Sequence, residues 1–263
     1  MQAGSNSQGA SSVAVGPNAG NSAQSILTVA IGNAAGQTTQ GQQSVAIGNS
    51  AGQTTQSSSC VAIGPGAGQY TQADSAVAIG SYAGSGAAGG TNFQGSGAIA
   101  VGANAGRTTQ GGTAIAVGYN AGNNTQGNNS VAIGNAAGQT TQGGTAIAVG
   151  YNAGNNTQGN NSVAIGNAAG QTTQAASAVA IGPNAGNTTQ GANAIAIGNN
   201  AGVSTQSANS IIINASGIST NPVNEGFHVR PIRAGNAGSS FSPALPANVL
   251  YYNTTTYEIL RTT

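Results

Sequence analysis

Chemistry in this 263-residue chain would have to be drawn from one histidine, one cysteine, three carboxylates and four arginines. The imidazole, His228, has no cysteine or second histidine beside it to share a metal, and Asp74, Glu225 and Glu258 never fall two to a motif. Metal sites need several such ligands at set spacings, and acid–base catalysis needs a group poised by its neighbours. Cys60 stands alone, so it either fills a small site or bridges to a second chain; it cannot make a disulfide framework. The recurring Gly-x-x-Ala-Gly turns lack the lysine of a phosphate loop. A formal net charge of +1 offers no electrostatic footprint for nucleic acid. The residues predict a protein that is not an enzyme, with no cofactor, no metal and no nucleic-acid partner.

The chain carries a repeat instead. A glycine closing a V-A-I-G-like run falls at 16, 32, 48, 64, 80, 102, 118, 134, 150, 166, 182 and 198, and Asn214 takes the next place. The period is 16 residues, broken once by six additional residues within the irregular stretch 81–95. That stretch reads as a loop bulging from one coil. Thr113–Gln142 recurs letter for letter as Thr145–Gln174, so the array has grown by two-repeat units. A fixed period of this kind marks stacked structural units, each covering its neighbour.

Columns through the repeat define its elements. Three residues before each turn glycine stands Val or Ile, one residue before it Ile or Val, and between them Ala, with Ile212 the exception in the last repeat. The pairs Val45/Ile47, Val61/Ile63, Ile115/Val117, Val131/Ile133, Val163/Ile165 and Ile195/Ile197 show the pattern. β-branched residues at period two make a strand with one aliphatic face and one small-residue face. Ala-Gly follows three and four residues after each turn glycine, and Gln stands eight residues before the next, from Gln24 to Gln206. Each repeat reads as strand, glycine turn, short strand or bend, and polar turn. The predicted fold is all-β: a parallel β-solenoid or β-roll of about 13 sixteen-residue coils, roughly 60 Å long at the usual strand spacing. It spans 12–213, after a polar tail at 1–11 and before a small C-terminal β cap at 214–263.

Stacking accounts for the composition. Among near-identical rungs a charged column would set like charges about 5 Å apart, whereas Asn, Gln, Thr and Ser columns satisfy one another by hydrogen bonds. Only Asp74 and Arg107 are charged before Asn214. The two aliphatics of each rung are a thin core for a lone coil, so association is expected. A homotrimer would pool the Val and Ile columns into one shared core.

The S-V-A-I-G motif followed by a small-residue turn and a polar loop resembles the head repeats of YadA-like trimeric autotransporter adhesins. The tail motifs Ser210–Gly217, Gly226–Arg233 and Leu250–Asn253 resemble the end of repeat-bearing fibre proteins of large DNA viruses and phages. The resemblance implies a trimer of left-handed parallel β-rolls, although a period of 16 is longer than that family commonly uses. It also implies a non-enzymatic, adhesive fibre on a virion or cell surface, with host surface glycan or protein as partner. An ice-binding β-solenoid and a self-assembling extracellular filament are the alternatives. Thr38–Thr39 weighs against ice binding, because adjacent residues of an extended strand point oppositely. No apolar run is long enough to cross a bilayer, so no membrane insertion is expected. Met1–Ser11 has no features of a secretory signal. The end at Thr263 suggests a cleaved mature product or a short form.

Aromatic residues break the monotony at Tyr70, Tyr82 and Phe93, in or near the irregular stretch, and at Tyr119 and Tyr151, equivalent positions of the duplicated blocks. They read either as surface binding positions or as a tolerated loop and coil cover. After Asn214 the composition shifts, with five of the seven charges and four of the seven prolines. Residues 249–260 read as a β-hairpin closing the last rung. Glu258 is placed to pair with Arg230, Arg233 or Arg261 of another chain, or to stay solvated.

Overall fold

A computed structural model describes residues 2–87, 93–221, 224–231, 250–253 and 258–261. Each repeat forms one coil of a parallel β-solenoid of about 13 turns. The V-A-I triplets, from Val13–Val15 to Ile195–Ile197, join Ser210–Asn214 and Gly226–Arg230 in one 14-stranded sheet. Its strands follow chain order and all pair in parallel, one period apart: Val45 beside Val61, Ala46 beside Ala62, Ile47 beside Ile63. Two-residue strands ending in Gln form a second ladder in two runs, Ala23–Gln24 to Thr71–Gln72 and Thr109–Gln110 to Thr205–Gln206. Single bridges from Gln94 to Gln72 and Gln110 join the runs. The six additional residues leave the register intact, since Val77 still lies beside Ile99. Part of that expected loop, 88–92, lies outside the described residues.

Glycine is required at two corners. Each turn glycine has a positive φ, +132° at Gly118, and packs on the next rung so closely that a Cβ would stand 2.5 Å from the carbonyl oxygen of Gly134. The second glycine, such as Gly36 at φ +52°, meets the Oε1 of Gln40 at 2.7 Å from where its Cβ would be. Other left-handed positions are filled mainly by Asn, Ser and Ala, for example Asn104, Asn120 and Asn152, and short polar side chains tolerate that region best.

The interior is built from small residues and amides. Two alanine columns, represented by Ala46 and Ala51 or Ala116 and Ala121, are fully buried, and the glutamine column runs beside them. The Val and Ile columns are not the core of the single chain: they point outward. Alternation within a three-residue strand allows one face inside, and here it is the alanine face, with Ile212 in the same column also fully buried.

The ladder begins before residue 12. Gly4, Asn6 and Gly9 donate backbone hydrogen bonds to Ala19, Asn21 and Gln24, so part of the stretch read as a tail lies along the first full coil. At the other end Gly226–Arg230 continues the sheet, setting Phe227 beside Ile211 and Val229 beside Ile213. Residues 1–230 form one compact unit and 231–263 another. In the second, Leu250–Asn253 pairs antiparallel with Glu258–Arg261. The expected ion pairs of Glu258 fall on side chains outside the described residues. No described residue is helical, and no helix is long and apolar enough to cross a membrane.

Candidate functional site

The glutamine column braces the coil. Gln40 Nε2 donates to the carbonyl of Val29 at 2.8 Å, and Gln56, Gln126, Gln142 and Gln174 make the equivalent bond to Val45, Ile115, Val131 and Val163. Each bond spans the interior from one ladder to the other. The amides also bond along the axis, as Gln56 to Gln72 at 3.1 Å and Gln174 to Gln190 at 3.0 Å. Sequence reasoning found this column and did not place it inside the coil. The available signal was its invariance through all twelve coils, where solvent-facing polar columns vary.

Outside the coil the aliphatic columns form a continuous ribbon. Val45, Ile47, Val61, Ile115, Val117, Val131, Val163 and Ile195 are half-buried, while Ile63, Ile133, Ile165 and Ile197 are exposed, Ile133 to 40%. Strict register sets each over its counterpart, so the ribbon has no polar or charged side chain from Val13 to Ile213. At about 4.8 Å per rung it is roughly 60 Å long. With a width of about 10 Å it covers on the order of 600 Å², the top of what a typical monomer exposes in one patch.

The chain matches no family model, no curated protein and no solved structure. Its reading therefore rests on geometry.

Polar columns elsewhere satisfy themselves. Gln53 donates to Gln37 and Gln69 to Gln53, both at 3.0 Å, and Asn187 to Gln171 at 3.1 Å. Asn128 and Asn160 accept from the backbone N–H of Gly112 and Gly144 at 2.9 Å, so a Gly-Gly-Thr turn interlocks with the Gly-Asn-Asn turn above it. Thr113 and Thr145 complete the interlock by donating to Asn129 and Asn161. The interlock thus repeats every two coils, as the duplicated sequence does.

Thr38 and Thr39 are both exposed, because Thr38 lies in the bend and only Thr39 in the strand. The expectation of opposite faces is tied to an extended pair, and Thr38 stands outside the strand. The column of the first threonine is interrupted by Tyr70, Asn124 and Asn156.

The aromatic positions separate into two sets. Tyr70 and Phe93 flank the glutamine ladder, half-buried and exposed respectively. Tyr82, Tyr119 and Tyr151 lie on the turn that follows the V-A-I strand, exposed to 45%, 54% and 54%. Tyr82 has a partner that sequence reasoning missed: the Arg107 guanidinium lies 5.5 Å from its ring centre. In sequence they stand 25 residues apart, and only the stacking brings them together.

Cys60 is fully buried and its thiol donates to the Ala73 carbonyl at 2.9 Å. It fills the place held by Ser44 and Ser130 in other coils, and the geometry supports that role over a bridge to a second chain. Burial pushes its thiol pKa up. Among the described residues, no three of His, Cys, Asp and Glu gather as a metal site.

Proposed function

We propose that this chain is the subunit of a stiff, non-enzymatic adhesive fibre, assembled as a homotrimer that projects from a virion or cell surface and contacts host surface glycan or protein. The observation that carries the reading is the outward aliphatic ribbon, continuous over every coil. A face of that area costs free energy in water at about 25 cal/mol per Å², and a second copy offers a matching, uncharged, equally long surface. A stable interface needs about 800 Å² per partner, close to the area of the ribbon with its flanking residues. The number three follows from the resemblance to YadA-like heads. The solenoid, with neutral columns and bonded amides, suits a rod.

Light scattering on a size-exclusion column tests the assembly. A mass three times that of the 25.0 kDa chain is expected. A monomer at micromolar concentration would overturn the shared-core reading.

A further inference from the structure

Deepening the adhesive part of that reading, and resting on it, we infer that the corner carrying Tyr82, Arg107, Tyr119 and Tyr151 binds an extended acidic polysaccharide. At this corner an ordinary coil is bonded to the coil before it. Asn123 donates to the Asn104 carbonyl at 3.0 Å, Asn155 to Ala136 at 2.9 Å and Asn187 to Ala168 at 3.0 Å. Arg107 occupies the same place in its coil, and its counterpart one coil back is Tyr82. A cation over a ring has replaced an amide bonded to a carbonyl.

The replacement is supported from below. Gly66 is the only glycine in a column otherwise filled by Asn, Ala, Ser and Tyr82, and a Cβ there would stand 2.7 Å from the Tyr82 ring. Tyr82 itself holds φ at +54°, a region that bulky residues avoid. Three exceptions on three consecutive coils, Gly66, Tyr82 and Arg107, therefore make one arrangement: a ring laid on bare backbone with a guanidinium beside it. Both side chains remain exposed.

Arg107 is the only cation before residue 214. The carboxylate nearest in sequence, Asp74, is engaged elsewhere, its Oδ1 accepting from the Ser58 N–H at 3.1 Å. A guanidinium offers a planar fork that fits a carboxylate with two parallel hydrogen bonds. On the same turn, one position before the column of Tyr82, stand Tyr119 and Tyr151, two coils apart, which is about 10 Å at the strand spacing. Exposed tyrosine rings present an electron-rich face to the C–H groups of a sugar ring while the hydroxyl stays wet. Stations ranked along the axis favour a linear polymer over a compact ligand, because each added contact is intramolecular once the first is made. The ligand class is thus a chain of pyranose rings bearing uronate carboxylates.

Calorimetric titration of the full chain with an oligogalacturonate, beside an uncharged cellohexaose control, tests the assignment. Binding of the acidic oligosaccharide is expected, weakened about tenfold by Arg107→Gln, the loss of one charge-assisted pair. Tyr119→Ala with Tyr151→Ala weakens it to a similar extent while its salt dependence persists. The solution mass of each variant stays that of the parent, so failure of binding and failure of association are read separately. Absence of binding, equal binding of the neutral sugar, or indifference to Arg107→Gln would overturn the proposal.

Discussion

The ring of Tyr82 lies on the backbone of Gly66, one coil below, where a methyl group would stand 2.7 Å from both Cδ1 and Cε1. Gly66→Ala should therefore destabilise the protein by about 1–2 kcal/mol, through a displaced ring and a side chain forced to a positive φ. Denaturant unfolding of Gly66→Ala in the parent and in a Tyr82→Ser background separates the two causes. The cost should shrink in the second background without vanishing.

Removing one interior amide breaks a brace between the two ladders. Gln142→Ala should cost about 2–4 kcal/mol, the sum of a lost buried hydrogen bond and a cavity. The exposed Thr141→Ala, one residue away, should change stability by less than about 0.5 kcal/mol. Equal effects in thermal unfolding would show that the interior glutamines carry no special weight.

Charge on the ribbon should dissociate the assembly and spare the coil. Ile133→Asp combined with Ile165→Asp leaves the alanine and glutamine interior untouched, so circular dichroism should retain its β signature while the mass falls to 25.0 kDa. An unchanged mass would mean that the chains do not meet through this face.

Cys60 should resist thiol reagents until the solenoid opens. Its folded pKa lies above the ordinary value of 9.0, so its contribution to stability is complete below that value and is lost as pH rises through it toward the folded value. Compared with Cys60→Ser, the parent should lose stability faster above about pH 9 and run parallel to it near neutrality. Rapid labelling of the native protein at pH 7 would contradict the buried placement.

Deletion of residues 113–144 removes one interlocked pair of coils and rejoins identical sequence. The product should fold with parent-like resistance per coil and form a rod shorter by about 10 Å, two strand spacings. Deleting 113–128 alone joins mismatched turns and should fold less well. Small-angle scattering measures the first outcome and unfolding the second.

Much of this architecture was legible because stacking turns identity in sequence into identity in space. The period placed the strands from Val13 to Ile213 and missed that Gly226–Arg230 continues the ladder, and the alternation of Val, Ala and Ile showed that two faces exist. It did not show which face is inside, since a period of two is satisfied either way. That choice rests on the pairing of a small and a long column: Ala46 leaves room inside for the Gln56 amide and its bond to the Val45 carbonyl, room that inward Val45 and Ile47 side chains would take. Gln40 and its counterparts were hidden by their type, because a buried glutamine looks like a turn residue until its carbonyl partner is known. The contact of Arg107 with Tyr82 was hidden twice: regular coils make the equivalent contact across 19 residues, not the period of 16, and the insertion lengthens it here to 25.

Every hydrogen bond of the V-A-I ladder runs along the axis of the coil, from one rung to the next. Tension applied at the two ends of a single solenoid would load these bonds in series, so that rungs open one at a time. Each opening exchanges about 5 Å of stacked rise for a released segment of about 50 Å. One chain by itself is thus a stack that unzips and lengthens under a pull. Side-by-side contact along the ribbon would change the mechanics, since a rung could then open only by also sliding out from between its neighbours.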